Sequence, residues 1–511
     1  MFKNVLVYLF VLFLSAGNIS AQTFNWGIRG GSGGQDLMRS VSTDSKGNLY
    51  TILMASGSIT VDSAGTPRTI PSYGNRDVLV IKYNCDSVFQ WVIRIGGTLV
   101  DGGAFSLGRI GIDTSGNVYV LTSINGSCNI TSANGSNAVI TSAGNTDVLL
   151  IKANESGIVQ WTNRVTSNGW DESGGLCLDR QQNIYISGFF TGAALITQVG
   201  GPGNTIFSAG SQDIFIAKYN PAGALQYSNR AGGATQDYSN KIAVDSTGAL
   251  YVSGGYGCCS NSTINFGNNI NNAGNWGAFL AKASPTGAWQ WGVSMGSVNS
   301  ESFAEVKVDD VNDRVYVVGH FAGTSNLSSR PPGAGVNVTS NGAHDIMLAA
   351  YDLNGSLQWT RTVGGTGEDY GFGLEIDASK NILIVGTSAS TANFGGTSLT
   401  ISGASHGYYA RYSPTNVLQD VQKVGDGLAF GVSDIHISSS GLAYVSGTFQ
   451  GSWTIGSKTF NSIGNEDAFI ARIQLPDVTT IAASKLTLNC LTDSIYLYIR
   501  NKDLGNFKWY R

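Results

Sequence analysis

The ionisable residues of this chain recur on a period. An aspartate opens a short turn at Asp44, Asp113, Asp179, Asp245, Asp309 and Asp377, with Ser438 in the seventh place. Calcium loops also use Asp in Gly-containing turns, but they close with a bidentate Glu that is missing here. An Asp that bonds its own turn backbone explains the spacing without a metal. A second acidic set, Asp36, Asp101, Asp171, Asp237, Glu301 and Asp369, precedes the first six copies. Gathered together, six acids could focus a field on a cation. A residue repeated by symmetry more simply serves the repeat, here by bonding across the junction between copies.

Departures from the period carry more information. Two positions before the turn Asp stand Ser42, Gly111, Cys177 and Ala243, then Lys307, Glu375 and His436. Two further back in the last three copies are Glu305, Gly373 and Asp434. Positions of equal parity on a strand share a face. Glu305, Lys307, Glu375, Asp434 and His436 therefore form the candidate ligand-binding cluster. Such a cluster is either a salt-bridge set tying neighbouring copies together, or a pocket with a few convergent polar groups. No HExxH zinc motif and no phosphate-binding Gly loop is present. Carboxylates spaced at the repeat period are poor grounds for a glycosidase pair. No catalytic residue is assigned, and neither a metal nor a cofactor is expected.

The elements that would position these groups follow from the repeat. The segments DSKGNLY, DTSGNVYV, DRQQNIYISG, DSTGALYVSG, VNDRVYVVG, DASKNILIVG and SSSGLAYVSG place their marker residues at 50, 119, 185, 251, 316, 383 and 444. A second signature follows each copy: DVLVIKY, DVLLIKA, DIFIAKY, GAFLAKA, DIMLAAY, HGYYARY and DAFIARI. A third is a strand ending in Gln-Trp, at Trp91, Trp161, Trp291 and Trp359, with Tyr227 in the third copy. Alternating β-branched and aromatic residues predict strands. Four antiparallel strands per repeat of about 66 residues predict an all-β, seven-bladed β-propeller of four-stranded antiparallel blades. The recurring tryptophans then read as packing residues. Short hairpins are expected in the long loops, as in ANFGGTSLTI and SWTIGSKTF. The seventh copy lacks its last strand, and FNWGIRGG at residues 24–31 matches QWVIRIGG at 90–97. The N-terminal strand should thus close the ring and leave it without an open edge.

IAVDSTGALYVSG, DIFIAKYNPAGALQY and the Gly-Gly before each new blade resemble the SBBP family of bacterial β-propeller repeats. The resemblance covers about residues 23–474. It implies exported or surface proteins, often with further β-sandwich modules, and says almost nothing about the ligand.

Composition bounds the rest. Glycine accounts for 68 of 511 residues, charged residues for 13% and apolar residues for 42%, so a large core is available and disorder is excluded. The net charge of −4 leaves no basic footprint for nucleic acid. Residues 1–21 read as a signal peptide: Lys3, then the ten-residue apolar run VLVYLFVLFL, then small residues up to Ala21. That run is too short to span a bilayer, so no membrane insertion is expected after cleavage. The expected domains are the signal peptide, a propeller over 22–475, and a linker with a partial immunoglobulin-like β module over 476–511. The last reading rests on Cys490 and Trp509 in strand-like surroundings; truncation of a longer chain is expected. The six cysteines show no zinc spacing and are expected to be mostly free.

These features favour a secreted or cell-surface, monomeric, non-catalytic scaffold or binding module for an extracellular glycan or protein. A propeller enzyme acting on polysaccharide, as lyase or glycosidase, and a platform in a surface secretion or motility complex are the alternatives. Fold alone does not choose among them.

Overall fold

The computed structural model describes residues 24–475, apart from 64–65, 104–107, 259–261, 273, 332–334 and 402–404. The expected signal peptide and immunoglobulin-like module lie outside the described residues.

Each DVLVIKY-type segment forms the third strand of a blade, and several, such as Asp77–Tyr83, are buried along their whole length. Both faces of such a strand are covered, one by each neighbouring blade, which is why its sequence is apolar almost throughout rather than alternating. The first, innermost strands are Leu37–Thr43, Arg109–Ile112, Glu172–Leu178, Asp237–Val244, Ser302–Asp309, Asp369–Ile376 and Asp426–Ile437. Each pairs antiparallel with the second strand of its blade across the Asp turn. The inner strands then contact one another in cyclic order, the seventh returning to the first. Seven apolar clusters fill the spaces between successive blades, including one that joins the last blade to the first. This is the seven-bladed β-propeller read from the repeat.

The N-terminal strand closes the ring as expected. Phe24–Gly31 pairs antiparallel with Asp467–Gln474, with Phe24 opposite Ile473 and Gly30 opposite Ala468. Trp26 takes the place that the Gln-Trp tryptophans hold elsewhere, edge-on to Tyr444 at 6.1 Å.

The turn aspartates are structural. Asp44 Oδ1 accepts the backbone N–H groups of Lys46 and Asn48, both at 2.9 Å, while Oδ2 accepts Asn48 Nδ2 and Tyr50 Oη. Asp113 and Asp179 repeat the pattern. Ser438 keeps part of it by accepting the Leu442 N–H. The second acidic set also holds the backbone. Asp237 accepts the N–H of Gly233 at 2.7 Å from the blade junction and that of Gly257 at 3.0 Å from beyond the second strand.

Two features depart from the expected design. The loop hairpins do more than decorate the blades. The hairpin Ile59–Val61/Arg68–Ile70 pairs with Gly30 and Gly31 of the closing strand. Ser127–Thr131/Asn137–Thr141 pairs with residues 94–97 of blade one. Each lies against the outer strand of the preceding blade and covers an edge that would otherwise offer unpaired backbone groups. The cysteine expectation is also corrected. Cys85 and Cys258 are each disulfide-bonded, while Cys128 and Cys177 are free thiols. Spacing rules detect local frameworks and do not address such pairings.

Candidate functional site

The inner strands carry the five candidate residues, and the fold brings them together on the ring axis. Lys307 Nζ lies 2.7 Å from Glu375 Oε1, so blade five is tied to blade six. Glu305 and Asp434 meet through a residue outside the expected cluster. Lys241 Nζ lies 2.5 Å from Glu305 Oε2 and 3.3 Å from Asp434 Oδ1. Lys241 belongs to blade four and Asp434 to blade seven, so this side chain bridges the channel. Asp434 Oδ2 also accepts the Val41 N–H at 3.2 Å, and His436 Nε2 shares a hydrogen bond with Thr43 Oγ1 at 2.9 Å. Both contacts tie blade seven to blade one.

The electrostatics match a closed network. Burial alone would raise the Asp434 carboxyl, but Lys241, Arg109 and Lys307 outweigh it and hold the group below its ordinary range. Burial would lower Lys307, but Glu375, Glu305 and Asp434 overcome this and raise it. His436 is lowered by burial, with Glu375 and Lys307 acting in opposite directions. Arg109 is lowered by burial against the pull of Asp434 and Glu305. Three cations, Arg109, Lys241 and Lys307, face three carboxylates, Glu305, Glu375 and Asp434. Charges balanced in this way pair with one another and form a layer across the axis, here called the plug.

Arg109 and Lys241 sit four residues before their turn aspartates, the same offset as Glu305 and Asp434. Applying that offset to the second and fourth copies would have found both.

Beyond the plug, toward the start of the inner strands, lies a cavity of about 590 Å³. Every blade contributes to its wall. A β-bulge in the inner strand shapes it: the register with the second strand slips between Met38 and Ser40, Ser239 and Lys241, Phe303 and Glu305, Gly371 and Gly373, and Val432 and Asp434. The extra residues, Arg39, Asn240, Ala304, Phe372 and Ser433, all line the cavity. A bulge re-aims one side chain without lengthening the strand's pairing. Trp170, Tyr238 and Trp276 add aromatic surface, with Tyr238 edge-on to Trp276 at 4.9 Å.

One wall residue, His320, adjoins further titratable groups that do not line the cavity. His320 packs against Tyr370 at 4.9 Å and His344 at 5.5 Å. Glu368 Oε2 lies 2.6 Å from both His344 Nδ1 and Tyr370 Oη. Burial, reinforced by His344, pushes the His320 imidazole down to about 4, so it is neutral at physiological pH.

Ring, plug and cup together define a repeat β-propeller protein with an open binding-sized cavity on its axis. No family model matches the chain. It is 22% identical over 276 residues to an uncharacterized WD repeat-containing protein of Acanthamoeba polyphaga mimivirus, covering 47% of this chain and 20% of that protein. It is 26% identical over 289 residues to Regulatory protein FlaEY of Caulobacter vibrioides, covering 52% of this chain and 28% of that protein. The chain thus spans under a third of the length of these curated relatives. Among solved structures, a streptogramin B lyase aligns over 84% of this chain and 92% of its own, at 8% identity and a TM-score of 0.35. The class rests on the strand pairing and ring contacts described above.

Proposed function

We propose that this chain is an exported, non-catalytic propeller module that binds an extracellular ligand, a glycan ahead of a protein, in the axial cup. One observation carries the reading: a cavity of about 590 Å³, within the size range of ligand pockets, to which all seven blades contribute. The charged layer beneath it is spent on pairing within the protein, so the cup wall is the surface left for a ligand. The leader-like N-terminus, the SBBP-like repeats and the immunoglobulin-like reading of residues 476–511 fit a modular surface protein, which we take to act as a monomer. A glycan array probed with the full chain and with Trp276→Ala tests this. Binding that is lost in the variant supports the cup; binding unchanged in the variant overturns it.

A second reading, a propeller enzyme acting on polysaccharide, draws on His320 and its neighbours. A neutral imidazole in the cavity wall, in ring contact with Tyr370, whose hydroxyl bonds Glu368, has the makings of a proton-transfer site. Product release from polysaccharide that disappears in His320→Ala would favour it.

A further inference from the structure

Arg39 stands apart from the other cations near the axis. It occupies the bulge position of blade one, lines the cup, and enters no ion pair among the described residues. Its Nε is shielded from solvent and has no hydrogen-bond partner. Its neighbours do not relieve it. Arg76 is held by the carbonyls of Asp101 and Gly103, and Arg109 faces Asp434 and Glu305 in the plug. Glu466 acts on Arg39 only from a distance and is itself bonded to Gln35 Nε2 at 2.9 Å. Burial, with the like charges of Arg76 and Arg109, pushes the Arg39 guanidinium down to about 10, still protonated at neutral pH. A guanidinium half-buried in the cup wall, with its Nε–H shielded and unpaired and no anion beside it among the described residues, is costly in the free protein, and an anionic ligand would relieve that cost.

The rest of the wall limits what carries the anion. Trp276, Tyr238 and Phe372 offer flat apolar surface, while Asn240, Gln212 and Ser173 bring amide and hydroxyl groups to the same cavity. Flat apolar faces beside many hydrogen-bonding groups suit a ligand whose ring has an apolar face and a hydroxylated edge.

Resting on the reading of the cup as the ligand site, we infer that its ligand is an acidic saccharide, with a uronate carboxylate or a sulfate ester paired to Arg39 and a sugar ring laid on the aromatic wall. Guanidinium groups take such oxyanions through paired N–H donors, which gives geometry as well as charge.

Calorimetric titration of the full chain with digalacturonate, a sulfated disaccharide and neutral cellobiose tests this, alongside Arg39→Gln and Trp276→Ala. At least one acidic probe should bind tenfold or more tightly than cellobiose. Arg39→Gln should reduce that probe to the neutral level, with a Tm equal to or above that of the parent. Which acidic probe binds identifies carboxylate or sulfate as the anion. Equal binding of neutral and acidic probes, lost in Trp276→Ala but indifferent to Arg39→Gln, would overturn the acidic ligand and leave the cup standing. Absence of binding by all three probes would overturn the acidic saccharide; a non-saccharide hit on a wider screen, lost in Trp276→Ala, would then keep the cup.

Discussion

The Lys241 ammonium of blade four reaches across the channel to within 3.3 Å of the Asp434 carboxylate of blade seven, while contacting Glu305 on its own side. Three blades that are not all neighbours thus share one buried charge. Lys241→Ala leaves two carboxylates facing each other in a shielded layer. Loss of about 3–5 kcal/mol is expected, the usual cost of stripping one partner from a buried pair. Denaturant unfolding would read it, and a loss below about 1 kcal/mol would mean that the layer is wet and the plug nominal.

Ring closure depends on eight N-terminal residues, Phe24–Gly31. Deleting them bares Asp467–Gln474 and takes away the strand on which the first hairpin rests. The shortened chain should aggregate or lose its cooperative melt. A melting temperature equal to that of the intact chain would contradict the closure.

Trp91 of blade one lies over Gly157 of blade two and donates its Nε1–H to Glu155 O at 3.0 Å. Gly157 has φ 75°, and a Cβ there would stand 2.8 Å from Trp91 Cδ2. Trp161 against Gly223 and Trp291 against Gly355 repeat the packing on the glycine, but Trp161 Nε1 has no hydrogen-bond partner among the described residues. The tryptophans are latches between blades, as their recurrence suggested. Gly157→Ala combines a strained φ with a clash, and a loss of about 2 kcal/mol is expected in thermal or denaturant unfolding.

The buried acids at the blade junctions set a pH dependence. Burial raises Asp101 to about 6 and Asp171 and Asp237 to about 7, against the N–H donors that favour the charged form. A carboxyl raised in the folded state binds its proton more tightly there than in the unfolded chain. Stability from these groups is therefore gained as pH falls from 8 to 5. His320 and His436, lowered by burial, act oppositely below their unfolded pKa of about 6.5 and offset part of this gain, whereas the contribution of Asp434, lowered in the fold, is lost only near and below its unfolded pKa of about 4. The chain should be more stable at pH 5.5 than at pH 8 by at least about 1 kcal/mol. In the Asp171→Asn, Asp237→Asn double variant the slope should flatten. A parent chain that is more stable at pH 8 would contradict this.

The architecture was legible because each blade repeats one set of chemical requirements. Asp44 must cap its turn, Trp91 must meet the next blade, and the third strand must be apolar on both faces. The candidate cluster was half legible. Glu305, Lys307, Glu375, Asp434 and His436 do converge, but Lys241 and Arg109 complete the set from blades that looked small and neutral at the neighbouring position. Arg39 was invisible for a different reason. Counting by twos from the turn Asp assigns faces correctly only as far as the bulge, and the bulge residue obeys no alternation. Trp170 and Trp276 reach the cup from segments between strands, where periodicity assigns no face.

The division of labour between plug and cup is tested most directly by the affinity of Glu375→Gln for digalacturonate or the sulfated disaccharide, measured by calorimetry beside its unfolding free energy. Glu375 is the half-buried partner of Lys307 and does not line the cup. The variant should lose stability and bind as the parent does. Unchanged stability with binding abolished would contradict this account and make the charged cluster itself the ligand site.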